Sequence, residues 1–124
     1  MSQRILVVED HEDNRQILRD LLGSAGYEMI EAHDGESAHP VAAKERPDLI
    51  LMDIQLPGLD GYEATRRIKA DPALAKIPII VVTSYALSGD EAKARSAGCD
   101  DYVAKPYSPR QLLATIRRFL PSTP

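Results

Sequence analysis

Two aspartates, a threonine and a lysine each close an apolar run in this 124-residue chain. Asp10 follows Ile5-Leu6-Val7-Val8-Glu9, and Asp53 follows Leu49-Ile50-Leu51-Met52. Thr83 follows Ile79-Ile80-Val81-Val82, and Lys105 follows Tyr102-Val103-Ala104 and precedes Pro106. If the runs are neighbouring parallel strands, the four side chains arrive at one edge of one sheet. Carboxylates, a hydroxyl and an ammonium in one pocket suit a divalent cation and a phosphoryl group. Glu9 adds a third carboxylate. Like charges that close raise at least one pKa unless something compensates. A hard cation compensates: Mg²⁺ takes one or two carboxylates, several waters and a phosphate oxygen. The backbone carbonyl of Gln55, just past the third run, offers another oxygen. Zinc fits less well, because the cluster has no Cys or His pair at ligand spacing.

Asp53 is the expected nucleophile. It lies before Pro57-Gly58, in a loop that lets a reactant approach. A carboxylate accepts a phosphoryl group as an acyl phosphate, and such transfer is catalysed mainly by positioning and charge neutralisation. The cation and Lys105 supply the neutralisation, and Thr83 donates its hydroxyl to a phosphoryl oxygen. Singly, each residue reads as a helix cap, a solvated loop acid or a turn. Their joint placement at successive strand ends carries the specificity.

The elements that must position these residues are readable. Strand signals alternate with helix signals five times, at spacings of roughly 20–25 residues that suit β-α-β units. The runs near 4–9, 48–53 and 77–83 are continuously apolar, as strands covered on both faces are. Glu28–Ala32 is mixed and Tyr102–Ala104 is short, which are edge-strand traits. Three interior and two edge strands fit a doubly wound, flavodoxin-like sheet of order 2-1-3-4-5. Ligands of such sheets bind outside the carboxyl ends of strands one and three, which Asp10 and Asp53 end. The predicted fold is α/β, a five-stranded parallel sheet flanked by five helices.

Capping patterns at Asp60–Glu63, Ser88–Glu91 and Ser108–Gln111 predict helix starts, the last with Pro109 at the first helical position. Ile17, Leu18, Leu21 and Leu22 predict a buried stripe on the first helix. Leu112, Leu113, Ile116, Phe119 and Leu120 predict one on the last. The fourth helix, near 88–97, has only Ala92, Ala94 and Ala97 to bury and is expected to be weakly anchored, as a switching element is. His39-Pro40 falls where a helix interior is expected. An interior Pro costs ~3 kcal/mol, so that helix either starts at Pro40 or bends, and His39 is expected to be exposed or capping.

The chain reads as one domain, 1–120, with a short tail, 121–124. Its net charge of -4 suggests no nucleic-acid or membrane surface. Arg66, Arg67 and Lys69, and Arg117 and Arg118, read as solvated helix faces. The single cysteine, Cys99, excludes an internal disulfide and reads as a small buried filler. There is no signal peptide and no apolar stretch near the ~20 residues that span a bilayer, so a cytoplasmic protein is expected.

Val8-Glu9-Asp10, the segment Leu51–Gly61, Val82-Thr83-Ser84 and Tyr102-Val103-Ala104-Lys105-Pro106 together resemble the receiver domain of two-component response regulators. The resemblance covers essentially residues 3–120. It implies that Asp53 receives phosphate from a histidine of a sensor kinase or phosphotransfer protein. It implies Asp10, Asp53 and the Gln55 carbonyl as direct Mg²⁺ ligands, with Glu9 acting through water. It implies Lys105 as the partner of the phosphoryl group, Thr83 as the switch hydroxyl, Tyr102 as the aromatic switch, and a cis bond before Pro106. Glu9 stands where many receivers have Asp. Gln55 and Tyr85 occupy variable positions that, in similar receivers, help set the acyl-phosphate lifetime.

A stand-alone receiver is the leading expectation, since the chain ends directly after the last helix. A receiver excised from a larger hybrid kinase is the alternative. Output is then protein–protein, through the surface of the fourth helix, fifth strand and fifth helix. The chain is read as a phosphoacceptor with self-catalysed transfer and slow self-dephosphorylation, not as a turnover enzyme. A phosphatase of the haloacid-dehalogenase type needs an acid two residues after the nucleophile, where this chain has Gln55. A flavin binder cradles phosphate in a Ser/Thr/Gly-rich loop, where this chain has Glu9-Asp10-His11-Glu12-Asp13-Asn14.

Overall fold

The computed structural model describes residues 3–83 and 90–120, without the side chains of Asp90, Glu91 and Ala94. Strands β1 (Arg4–Val8), β2 (Glu28–Ala32), β3 (Leu49–Asp53), β4 (Ile79–Thr83) and β5 (Asp101–Ala104) alternate with helices α1 (Glu12–Ser24), α2 (Gly35–Glu45), α3 (Gly61–Ala70), α4 (Asp90–Ala97) and α5 (Pro109–Phe119). Every strand pair is parallel, and the order is β2-β1-β3-β4-β5, as the apolar runs predict. The Ser88 capping pattern, Ser84, Tyr85 and the tail 121–124 lie outside the described residues.

Alternation along the strands builds two cores. Leu6, Val8, Ile50, Met52, Ile79 and Val81 face α2 and α3, which supply Ala38, Ala42, Ala64 and Ile68. Ile5, Val7, Leu49, Leu51, Ile80 and Val103 face α1 and α5, which supply Leu18, Leu22, Leu112 and Ile116. β3 and β4 are buried throughout, while β2 and β5 are only partly buried. Strands covered on both faces are apolar along their length for this reason, up to the Asp53 and Thr83 that end them. Among the described side chains of α4, Ala97 is the buried one.

Two capping patterns form as predicted. Asp60 Oδ1 accepts from the Glu63 N–H at 2.9 Å, and Ser108 Oγ accepts from the Gln111 N–H at 3.0 Å. Other expectations need correction. α2 starts at Gly35, not Pro40, because Asp34 caps it by accepting from the Ser37 N–H at 2.8 Å. Pro40 therefore sits inside the helix, where it cannot bond the Glu36 carbonyl. His39 is half-buried rather than exposed, its Nε2 2.9 Å from Oδ2 of Asp71, the residue that ends α3. Ile17 leaves the α1 stripe: Leu18 and Leu22 are buried, but Ile17 is 60% exposed. Lys69 is not a solvated charge, since its ammonium donates to the Ala75 and Ile77 carbonyls and to Asp100. Cys99 is half-buried against the α2/α3 core, and burial pushes its thiol pKa up.

The start of α3 is packed directly on the end of β3. A Cβ on Gly61 would collide with the Asp53 carbonyl oxygen and lie 2.8 Å from Ile54 Cα. Backbone atoms cannot swing aside as a side-chain tip can. Gly61→Ala is expected to destabilise the fold by about 1–3 kcal/mol, the usual cost of overpacking, measurable as a lower urea midpoint with an unchanged slope.

Candidate functional site

The ladder continues one residue past three strands. The Glu9 N–H donates to the Ala32 carbonyl at 3.0 Å, the Ile54 N–H to Val82 at 3.2 Å, and the Lys105 N–H to Thr83 at 2.8 Å. The residues that close the apolar runs are thus pinned by backbone bonds rather than carried on free loops. Val8 is in register with Met52, so Glu9 and Asp53, one step further along adjacent strands, come together. Asp53 is in register with Val82 and Thr83 with Ala104, which brings the other two strand ends alongside.

Asp53 is only 5% exposed. Its Oδ1 lies 3.4 Å from the Lys105 ammonium and accepts from the Gln55 N–H at 3.2 Å. Thr83 is buried at the end of β4. Tyr102 is half-buried and packs on the α2/α3 side. The Lys105–Pro106 bond is cis. Period-two alternation sorts these groups. Glu9, Asp53 and Lys105 share the α1/α5 side, and all three line a groove of about 690 Å³ that Ile17, Leu21 and Tyr107 also line. Thr83 and Tyr102 share the opposite side.

The carboxylates crowd one another. Glu9 is buried, and its carboxyl is raised above the ordinary carboxylate range, first by burial and then by Asp53 and Asp10. Bonds from the His11 N–H (3.1 Å) and Asn14 Nδ2 (3.2 Å) and the charge of Lys105 offset this only in part. Asp10 Oδ1 is buried without a hydrogen-bond partner among the described residues. An orphaned carboxylate oxygen beside a strained one is the donor set a hard cation would satisfy. Glu9, Asp10 and His11 present ligand atoms all within 4.8 Å of one another.

Two residues beside the site, His11 in this loop and Arg15 on α1, were not singled out by sequence reasoning. His11 directly follows the acidic pair, but a search for His or Cys pairs passes over a single His beside carboxylates. Arg15 is buried and donates from Nη1 to the Glu9 carbonyl at 2.9 Å, while also pairing with Glu12 (2.6 Å) and Glu31 (3.3 Å). Its only sequence signal is the spacing of three from Glu12.

A family model described as the response regulator receiver domain matches residues 5–117. The polar-differentiation response regulator DivK of Brucella anthropi is 44% identical over 120 residues, covering 97% of this chain and 98% of that protein. The receiver domain of sensor histidine kinase PA1611 from Pseudomonas aeruginosa PAO1, solved with a magnesium ion coordinated in its active-site cleft, superposes with a TM-score of 0.91 at 41% identity, covering 98% of this chain and all of that one. Chemotaxis protein CheY4 of Vibrio cholerae superposes at 0.90 with 28% identity, covering 96% of this chain and 99% of that one.

Because the Glu9 carboxyl is held above its ordinary range, its ionisation opposes folding. The stability of the neutral form is present in acid and lost as pH rises through the raised range. Glu9→Gln removes that loss. Without divalent ions near neutral pH, this variant is expected to melt a few degrees above wild type, about 1 kcal/mol. The gap should shrink in mild acid, as read by circular dichroism.

Proposed function

The chain belongs to the response regulator receiver family, and from that membership we propose that it is a phosphoacceptor switch charged on Asp53. A histidine kinase or histidine phosphotransfer protein supplies the phosphoryl group, and the phosphorylated chain changes its protein partners. One observation carries the choice of Asp53: its buried carboxylate ends the central strand with the Lys105 ammonium 3.4 Å away. We read residues 1–120 as the receiver and assign it to the cytoplasm. Among the described residues no helix is long and apolar enough to cross a membrane. The same chemistry holds for a stand-alone regulator and for a receiver within a hybrid kinase. Relatives of both kinds are similar to the chain.

A carboxylate oxygen of Asp53 attacks phosphorus as the phosphorus–nitrogen bond of the donor breaks. The electron pair returns to the imidazole, which takes up a proton. Lys105 and the Gln55 N–H orient the carboxylate through Oδ1, and the Lys105 charge then stays beside the new phosphoryl oxygens. Asp10, Asp53 and the Gln55 carbonyl are assigned to hold Mg²⁺ directly, with Glu9 acting through water. The orphaned Asp10 oxygen fits that assignment. When bound, the ion supplies positive charge against the phosphoryl oxygens. Gln55 cannot protonate a leaving group, so the chain is a slowly self-dephosphorylating switch rather than a phosphatase.

Thr83 is assigned to bond the phosphoryl group, and Tyr102, on the same side of the sheet, to fill the space it vacates. A full switch from 1:99 to 99:1 needs ~5.5 kcal/mol, and one hydrogen bond to a charged group supplies roughly 1.5–3. Lys105 and repacking of α4 must supply the rest. The sparse burial of α4 supports the α4–β5–α5 surface as the output face, and direct nucleic-acid binding forms no part of this reading.

Incubation with acetyl phosphate and Mg²⁺ is expected to yield a base-labile adduct by intact mass that Asp53→Ala abolishes. An adduct that persists in Asp53→Ala would refute the assignment. Thr83→Ala is expected to accept phosphate yet lose most phosphate-dependent partner capture. Undiminished capture would break the proposed coupling.

A further inference from the structure

We propose that His11 is a metal ligand of this pocket and that its nitrogen admits a borderline transition-metal ion alongside Mg²⁺. The inference rests on the reading of Glu9 and Asp10 as a divalent-cation site and concerns which cations that site takes. The His11 Nδ1 lies 3.2 Å from Asp10 Oδ1 and 3.4 Å from Glu9 Oε2. At 3.2 Å the ring nitrogen is near enough to hydrogen-bond Asp10, yet Asp10 Oδ1 stays without a hydrogen-bond partner among the described residues. The ring and the carboxylate are thus close without forming a hydrogen bond. In an octahedral shell with bonds of about 2.1 Å, adjacent ligand atoms sit about 3 Å apart. The 3.2 Å separation from Asp10 Oδ1 matches neighbouring positions in such a shell, with Glu9 beside the ring and acting through water.

The chemistry of the set then decides its preference. Mg²⁺ favours oxygen and gains little from an imidazole. First-row transition ions gain from it, in the order Mn²⁺ to Co²⁺ to Ni²⁺. The His11 side chain is 68% exposed, so it reaches a cation at the pocket mouth without disturbing the core. His39 is already occupied by Asp71 and does not compete for the role. His11 acts as a selectivity ligand: the carboxylates bind either ion, and the ring tips the ratio toward the transition metal.

The test is calorimetric titration of the intact protein with Co²⁺ and, separately, with Mg²⁺. Wild type is compared with His11→Ala, His11→Asn and Asp10→Asn, and the visible spectrum of the Co²⁺ form is recorded. The Co²⁺-to-Mg²⁺ affinity ratio is expected to fall about tenfold or more in both His11 variants, and the Co²⁺ spectrum to shift as nitrogen leaves its shell. An unchanged ratio and spectrum in the His11 variants, with Asp10→Asn weakening both ions, would overturn the role of His11 and leave the pocket reading standing. Binding of both ions undiminished in Asp10→Asn would overturn the pocket reading itself, and the inference with it.

Discussion

Three carboxylates meet at the ends of two adjacent parallel strands, and the backbone gives them no way to separate. Glu9 and Asp53 are neighbours by register, and the ladder bonds of Glu9, Ile54 and Lys105 fix the strand ends. β3 is buried along its whole length, so the sheet cannot shear to relieve the repulsion without opening its core. Lys105 and the His11 N–H offset the crowding only in part, and the Glu9 carboxyl stays raised. The fold therefore holds unfavourable electrostatics in place, which a designer of stability alone would remove. That stored repulsion favours a cation, whose charge must also offset the extra negative charge a phosphoryl group brings.

The same alternation that builds two cores divides the site between the two faces of the sheet. Glu9, Asp53 and Lys105 belong to the α1/α5 side, and Thr83 and Tyr102 to the other. In the proposed reading, a group added to Asp53 is handled on one side and sensed on the opposite one. Thr83 sits at the end of β4, where that strand lies against both β3 and β5. It is the nearest point at which an event on one face reaches the next strand. The element beyond it, α4, buries Ala97 alone among its described side chains.

Much of this was readable in the residues because it depends on period and order. The apolar runs showed which strands are interior, their ends carried the chemistry, and Asp60 and Ser108 marked helix starts by local bonds. What escaped was set by partners distant in sequence. His39 meets Asp71 and Lys69 meets Asp100, contacts that no local pattern announces. Pro40 allows either a start at its own position or an interior place, and the bonded cap at Asp34 with burial of Ala38 and Ala42 puts it inside, outweighing one missing backbone bond. Ile17 fits the apolar stripe of α1 by spacing, but the stripe is wider than the contact line: Leu18 and Leu22 are buried, Leu21 packs at the core's edge, and Ile17 is left exposed.

The position of Ile17 bears on the donor. A small phosphodonor needs only the charged groups around Asp53 and gains nothing from an apolar wall. Here the groove that Asp53 and Lys105 line is also lined by Ile17, Leu21, Tyr107 and Pro109. Ile17 is a large apolar side chain, 60% exposed, at the edge of this groove. Burial of Tyr107, with Glu9 and Asp53 close by, pushes its hydroxyl pKa up, so the apolar wall runs right to the acidic centre. A protein that lays apolar side chains along α1 while extending a phosphohistidine toward Asp53 uses both halves of the groove. In the proposed reading, this apolar wall beside Asp53 suits a macromolecular phosphodonor better than a small one.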